Sequence, residues 1–288
     1  SNNDGNTSNT VFGKNAFTND AGGNAILGDV GADSNVAIGE DAMGSGTTLA
    51  ANNNVAVGYK ALEDVTTGDG NVTLGRTAGS SLTSGSSNVV IGSNDNVTEA
   101  ALEVSLLVGK CIAIGTGAAG SGAVTADADG TVAIGYKSLF ALTSGASNTA
   151  VGFQCLHATD DGASNTAVGY DALSSNVGNE NVAVGFEAGQ DLTGAENTFI
   201  GSRAGYNIAA VNGNVAVGRY ALYTSTGAVD CIAIGRQSMY SGNATQAGTV
   251  AIGKSALTAL TSGAGNTAVG YKSMDEIDTG SRNTTLGF

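Results

Sequence analysis

The chain has no proline, no tryptophan, one histidine, three cysteines and only 11 lysines and arginines in 288 residues. Each shortage excludes something. A lone histidine, His157, builds neither a His-based triad nor a two-His metal site within one chain. With 25 acidic residues the net charge is −14, which disfavours nucleic acid and anionic membrane surfaces as partners. No apolar run approaches the ~20 residues of a membrane span, and no signal peptide is visible. Helical periodicity is nearly absent. The lack of proline leaves every strand its N–H for a ladder. The cysteines do not form a disulfide framework. Cys111 and Cys231 share one repeat position about seven coils apart, on the order of 34 Å at strand spacing, beyond the reach of a bridge. Cys155 replaces a small residue elsewhere in its repeat. All three read as buried thiols, with pairing between chains near an axis as the lesser option.

What the chain has instead is 45 glycines and a returning template, best seen at Asn165-Thr166-Ala167-Val168-Gly169-Tyr170-Asp171-Ala172-Leu173. The closing Gly recurs from Gly13 to Gly287, and from Gly135 onward the steps are 16 to 18 residues. A fixed period of this kind makes a solenoid, in which each repeat touches mainly its neighbours. The expected fold is therefore all-β: a parallel β-solenoid with coils of about 17 residues, forming one continuous elongated domain. Residues 1–8 read as a tail. Residues 9–92 carry coils with unequal spacers, 93–130 an irregular insertion, and 131–288 regular coils. In the insertion Ser105–Gly109 and Cys111–Gly115 lie too close for both to be full coils, and Thr98–Glu103 could form a helical turn.

Within a repeat the pattern predicts a five-residue strand. Its fourth residue is large and apolar (Phe12, Ile38, Val57, Val269, Leu286), its second mostly Val, Ile or Thr, its third usually Ala. The second and fourth share one face and the third points the other way. We expect the second and fourth to fill the coil and the alanines to meet a partner chain. Asn opens 13 of 18 copies; it suits a corner, and stacked copies can form an amide ladder. The closing Gly serves a positive φ or a close backbone approach.

Chemistry is sparse. Paired carboxylates such as Asp160-Asp161 fall in turns, no phosphate-cradling loop leads into a helix, and no catalytic residue is expected. Asp127 and Asp129 resemble the start of a calcium loop, but the distal Glu is missing, so a plain turn is the simpler reading and no other cofactor is expected. Directly after the closing Gly stand Tyr136, Phe153, Tyr170 and Phe186 on successive copies. They predict a vertical aromatic stack, either a structural ladder over the coil corner or a glycan-stacking stripe. The Asn-x-Ser/Thr sequons at Asn6, Asn71, Asn96, Asn243 and Asn283 read as chance matches, two of them being template asparagines.

At Asn35-Val36-Ala37-Ile38-Gly39, Thr131-Val132-Ala133-Ile134-Gly135 and Asn148-Thr149-Ala150-Val151-Gly152 the chain resembles the YadA-like head of trimeric autotransporter adhesins and the repetitive shaft of phage tail fibres. The resemblance covers about 9–92 and 131–288. It implies a left-handed β-roll, a homotrimer around one axis, and surface attachment through a host glycan or protein receptor. The repeats here are longer than those of the adhesin head, which favours the shaft version. The functional expectation is a structural, non-enzymatic fibre protein of a virion tail fibre or a bacterial surface adhesin, extracellular and not inserted in a membrane. The sequence stops at Phe288 directly after a strand copy, so the expectation includes a fragment of a longer fibre or a filament subunit stacking end to end. A hexapeptide-repeat acyltransferase would need three hexapeptides per coil and shows one. An ice-binding face built on Thr149, Thr166, Thr198 and Thr267 is a further minor reading, because that position is expected inside.

Overall fold

The computed structural model describes residues 8–17, 32–44, 50–93, 109–120, 128–225, 227–241 and 247–288. The protein is an all-β parallel solenoid with coils of about 17 residues, and no α-helix occurs among the described residues. The chain divides into two compact units, Ser1–Asn148 and Thr149–Phe288.

The first unit stacks β1 (Thr10–Phe12), β2 (Val36–Ile38), β3 (Val55–Val57), β4 (Val72–Leu74), β5 (Val89–Ile91), β6 (Ile112–Ile114) and β7 (Val132–Ile134). Each pairs in parallel with the next, and equivalent residues face each other, as Ala37 does Ala56. In the second unit the main sheet holds β8 (Thr149–Val151), β9 (Thr166–Val168), β10 (Val182–Val184), β11 (Thr198–Ile200), β13 (Val215–Val217), β15 (Ile232–Ile234), β16 (Val250–Ile252), β17 (Thr267–Val269) and β18 (Thr284–Leu286). A second wall carries β12 (Asn207–Ile208) and β14 (Thr224–Ser225), also parallel. The strands of the main sheet are three residues long, because the opening Asn and closing Gly already belong to the corners. Of the two crowded copies around 105–115, the Cys111 copy takes the place in the sheet, between β5 and β7. Ser105–Val108, Thr98–Glu103 and residues 1–7 lie outside the described residues.

The two faces of the strand are opposite to expectation. The third-position alanines (Ala37, Ala56, Ala133, Ala167, Ala183, Ala216) are fully buried inside their own coil. The second and fourth residues point outward, half-buried or exposed, as at Val182 and Val184. Period-2 alternation tells which residues share a face, not which face is inside. A coil of about 17 residues has a thin interior. Its opposite walls already supply Leu62, Leu82, Leu139, Leu142, Leu173 and Leu192, all fully buried, so opposite them only a small group fits from the strand side; where the facing positions are glycine the strand carries more, as at Phe199.

The corner after each strand has a repeating backbone device. The second and fourth residues past the closing Gly are left-handed without being glycine: Lys60 and Leu62, Gln154 and Leu156, Asp171 and Leu173, with φ between 49 and 53°. Such residues are disfavoured singly. Here bonds to neighbouring coils hold them: the Asp171 N–H donates back to the Phe153 carbonyl at 2.9 Å and the Leu173 N–H forward to the Ala188 carbonyl at 3.0 Å. The closing Gly is required sterically as well. A Cβ on Gly169 (φ +140°) would sit 2.4 Å from the Gly185 carbonyl oxygen.

The opening asparagines form the amide ladder. Asn181 receives no positive φ; that falls to the residue before it, Glu180 (φ 61°). Instead its backbone N–H donates to Asn165 Oδ1 at 2.9 Å, its Nδ2 to Asn165 Oδ1 at 3.1 Å and to the Gly194 carbonyl at 3.0 Å. Asn197 repeats this on Asn181, and Asn214 on Asn197. In the first unit Asn54, Asn71 and Asn88 do the same. The ladder stops where Cys and then Thr replace Asn, at Cys111 and Thr131 and again at Cys231 and Thr249. Both Thr hydroxyls are buried without a hydrogen-bond partner, because a hydroxyl on a short stem cannot span two coils as an amide does.

Candidate functional site

In the second unit the residues just past the closing Gly form parallel columns, one rung per coil. The first column holds Phe153, Tyr170 and Phe186, each 40–45% exposed. Phe153 and Tyr170 stack with centroids 5.1 Å apart and planes 3° from parallel; Tyr170 and Phe186 stack at 5.3 Å and 14°. This is the expected vertical stack. Tyr136, also exposed, belongs to the first unit, where the Lys137 ammonium lies 5.4 Å from its ring. Tyr170 is covered on both faces by its neighbours. A sugar stacks on a ring face, so a ligand beside this column meets ring edges.

A second column holds Gln154, Asp171, Glu187, Arg203 and Tyr220. Arg203 Nε donates to Glu187 Oε2 at 2.5 Å, and its guanidinium lies over Phe186 and Tyr206 at 5.6 and 5.3 Å. The Tyr220 hydroxyl accepts from Arg203 and from Arg219 at 3.5 and 3.2 Å, which lowers its pKa. Asp171 is pushed up, first by burial and then by Glu187, against the opposing pull of His157. Asp191 is pushed up by burial and by Glu187 as well.

A third column, five residues past the Gly, was not foreseen. It runs His157, Ser174, Gln190, Tyr206, Tyr223, Tyr240. The three tyrosines stack at 5.2 and 5.0 Å, and Tyr220 meets Tyr223 edge-on at 5.1 Å. Aligning every repeat on its closing Gly, rather than scanning for aromatics next to it, would have revealed the column. Between the second and third columns lies an open cleft of about 200 Å³ lined by Gln154, His157, Asp171 and Ser174.

The chain matches no protein-family model and no curated protein.

The other expected sites fare differently. Asp127 lies outside the described residues. Asp129 Oδ1 accepts the Gly109 N–H, 20 residues earlier, at 2.8 Å, a coil-to-coil use of that carboxylate. Among the described residues no group of three His, Cys, Asp or Glu is placed to hold a metal. Cys111, Cys155 and Cys231 are thiols rather than disulfides, and burial raises all three, Cys155 to about 11. Asn71 is buried in the ladder, so its sequon is closed to modification. No helix among the described residues is long and apolar enough to cross a membrane.

Proposed function

We propose that this chain is a structural fibre protein, not an enzyme, that assembles as a homotrimer and presents a surface for attachment, as a virion tail fibre or a bacterial surface adhesin. One observation carries the reading. The outward face of the strands is a stripe of branched aliphatic side chains, with Val168, Val184, Ile200, Ile234 and Ile252 each 36–41% exposed. A long regular apolar stripe marks an interaction surface. Its rungs repeat at the coil spacing, and the partner with the same repeat is another copy of the chain. The chain-to-chain contact thus falls on the Val/Ile face instead of the alanine face. The trimer, the attachment role and the extracellular setting come from the resemblance to adhesin heads and tail-fibre shafts, and the acidic surface suits them.

The test is the solution mass by light scattering, for the wild type and for Val184→Lys with Ile200→Lys. Three chain masses for the wild type and one for the variant support the reading. A wild-type monomer overturns it.

A further inference from the structure

We propose that the cleft formed by Gln154, His157, Asp171 and Ser174 is a binding site for a single neutral sugar ring. The inference gives the attachment surface a place and a ligand class, and rests on the fibre reading only for its biological role. The cleft, at about 200 Å³, is below the ~300–1,000 Å³ that drug-sized ligands fill, and suits one monosaccharide. Every lining side chain is polar, which excludes an apolar ligand. Their chemistry is mixed: the Gln154 amide donates and accepts, the His157 ring can donate an N–H, and the Ser174 hydroxyl and the carboxylate accept. Sugar hydroxyls also donate and accept, so they match the set. A metal ion asks for acceptors alone, and an anion meets Asp171 with Glu187 beside it.

A second observation points the same way. Asp171 Oδ1 is buried and accepts no hydrogen bond, and on the next coil Gln190 Oε1 is also buried without a donor. Ser174 links the two coils, its Oγ donating to the Gln190 carbonyl at 3.4 Å. Buried acceptors are nearly always paired. Asp171 lines the cleft, and with no protein donor holding that buried oxygen its carboxylate can turn to accept a ligand hydroxyl there.

Saturation-transfer NMR on the full chain tests this with glucose, galactose, mannose and N-acetylglucosamine, each alone. The expected result is millimolar binding of at least one, weakened about tenfold or more in Asp171→Ala, weakened also in Gln154→Ala, and unchanged in Tyr240→Ala, which lies outside the cleft. Circular dichroism checks the fold; if Asp171→Ala does not fold, Ser174→Ala takes its place. Transfer to none of the four sugars, or transfer unaltered by the cleft variants, overturns the site. The solution mass separates the two proposals: a trimer that binds no sugar removes only the cleft, and a monomer that binds sugar removes only the trimer.

Discussion

The ring of Phe199 occupies the space that a side chain on Gly205 would need. A Cβ built there would lie 2.9 Å from Phe199 Cδ1, and one on Gly189, a coil earlier, 2.9 Å from Cδ2. In the other coils of the second unit the column of Gly189 and Gly205 carries leucine or methionine (Leu173, Leu222, Met239) and the strand mostly alanine. One coil has moved its bulk from one wall to the other. Phe199→Ala should cost about 3–5 kcal/mol by leaving a cavity. Gly205→Leu alone should overpack. The left-handed backbone is no bar, since Leu222 adopts it in the same column (φ 48°). The double variant should recover part of the loss, with a coupling above ~1 kcal/mol in a denaturation cycle. Simple additivity would show that the two positions do not share the space.

Asn181→Ala removes the acceptor for the Asn197 N–H and the donor to the Gly194 carbonyl. Each buried group left unpaired costs roughly 1–3 kcal/mol, so a large fall in thermal midpoint is expected. The reverse change is Thr249→Asn. It replaces a buried, unpartnered hydroxyl with an amide that can reach the neighbouring coil, and should stabilise by ~1 kcal/mol. A lowered midpoint for Thr249→Asn would show that these Thr positions cannot host the ladder.

The period, the closing Gly and the amide ladder were all legible, because each is a property of a single repeat stacked on its copy. Which strand face is interior was not legible. Ala167 and Val168 look equally fit for a core, and only the width left by Leu173 on the facing wall decides between them. The cleft escaped for a related reason. Its members come from two coils and two columns, and nothing along the chain places His157 beside Asp171.

Asp171 and Asp191 hold protons to higher pH in the folded chain than their ordinary value of 3.8. The folded state therefore binds more protons than the unfolded one between that value and the raised ones. Stability must fall as pH rises through this window, so the penalty is greater at neutral pH than at acid pH. Asp171→Asn should be more stable than wild type at pH 7 and lose the advantage at about pH 4. Urea melts at the two values check this; an equal loss at both would mean that the carboxylate earns its place by contacts.

The thiols should be slow. With Cys155 raised to about 11 and the other two also raised by burial, little thiolate exists near neutrality. An aromatic disulfide reagent should titrate the three cysteines quickly in denaturant and slowly in the folded chain, the half-exposed Cys111 first. Fast reaction of Cys155 in the folded chain would mean that its coil opens readily.

A stack of near-identical coils also has an addressing problem. Rungs that are interchangeable can pair one step out of place at little cost, within one chain or between copies lying side by side. The exchange of bulk at Phe199, fully buried, resists such slippage within one chain, because a coil shifted by one would drive its ring against a leucine instead of a glycine. The irregular rungs thus serve as index marks on an otherwise uniform ruler.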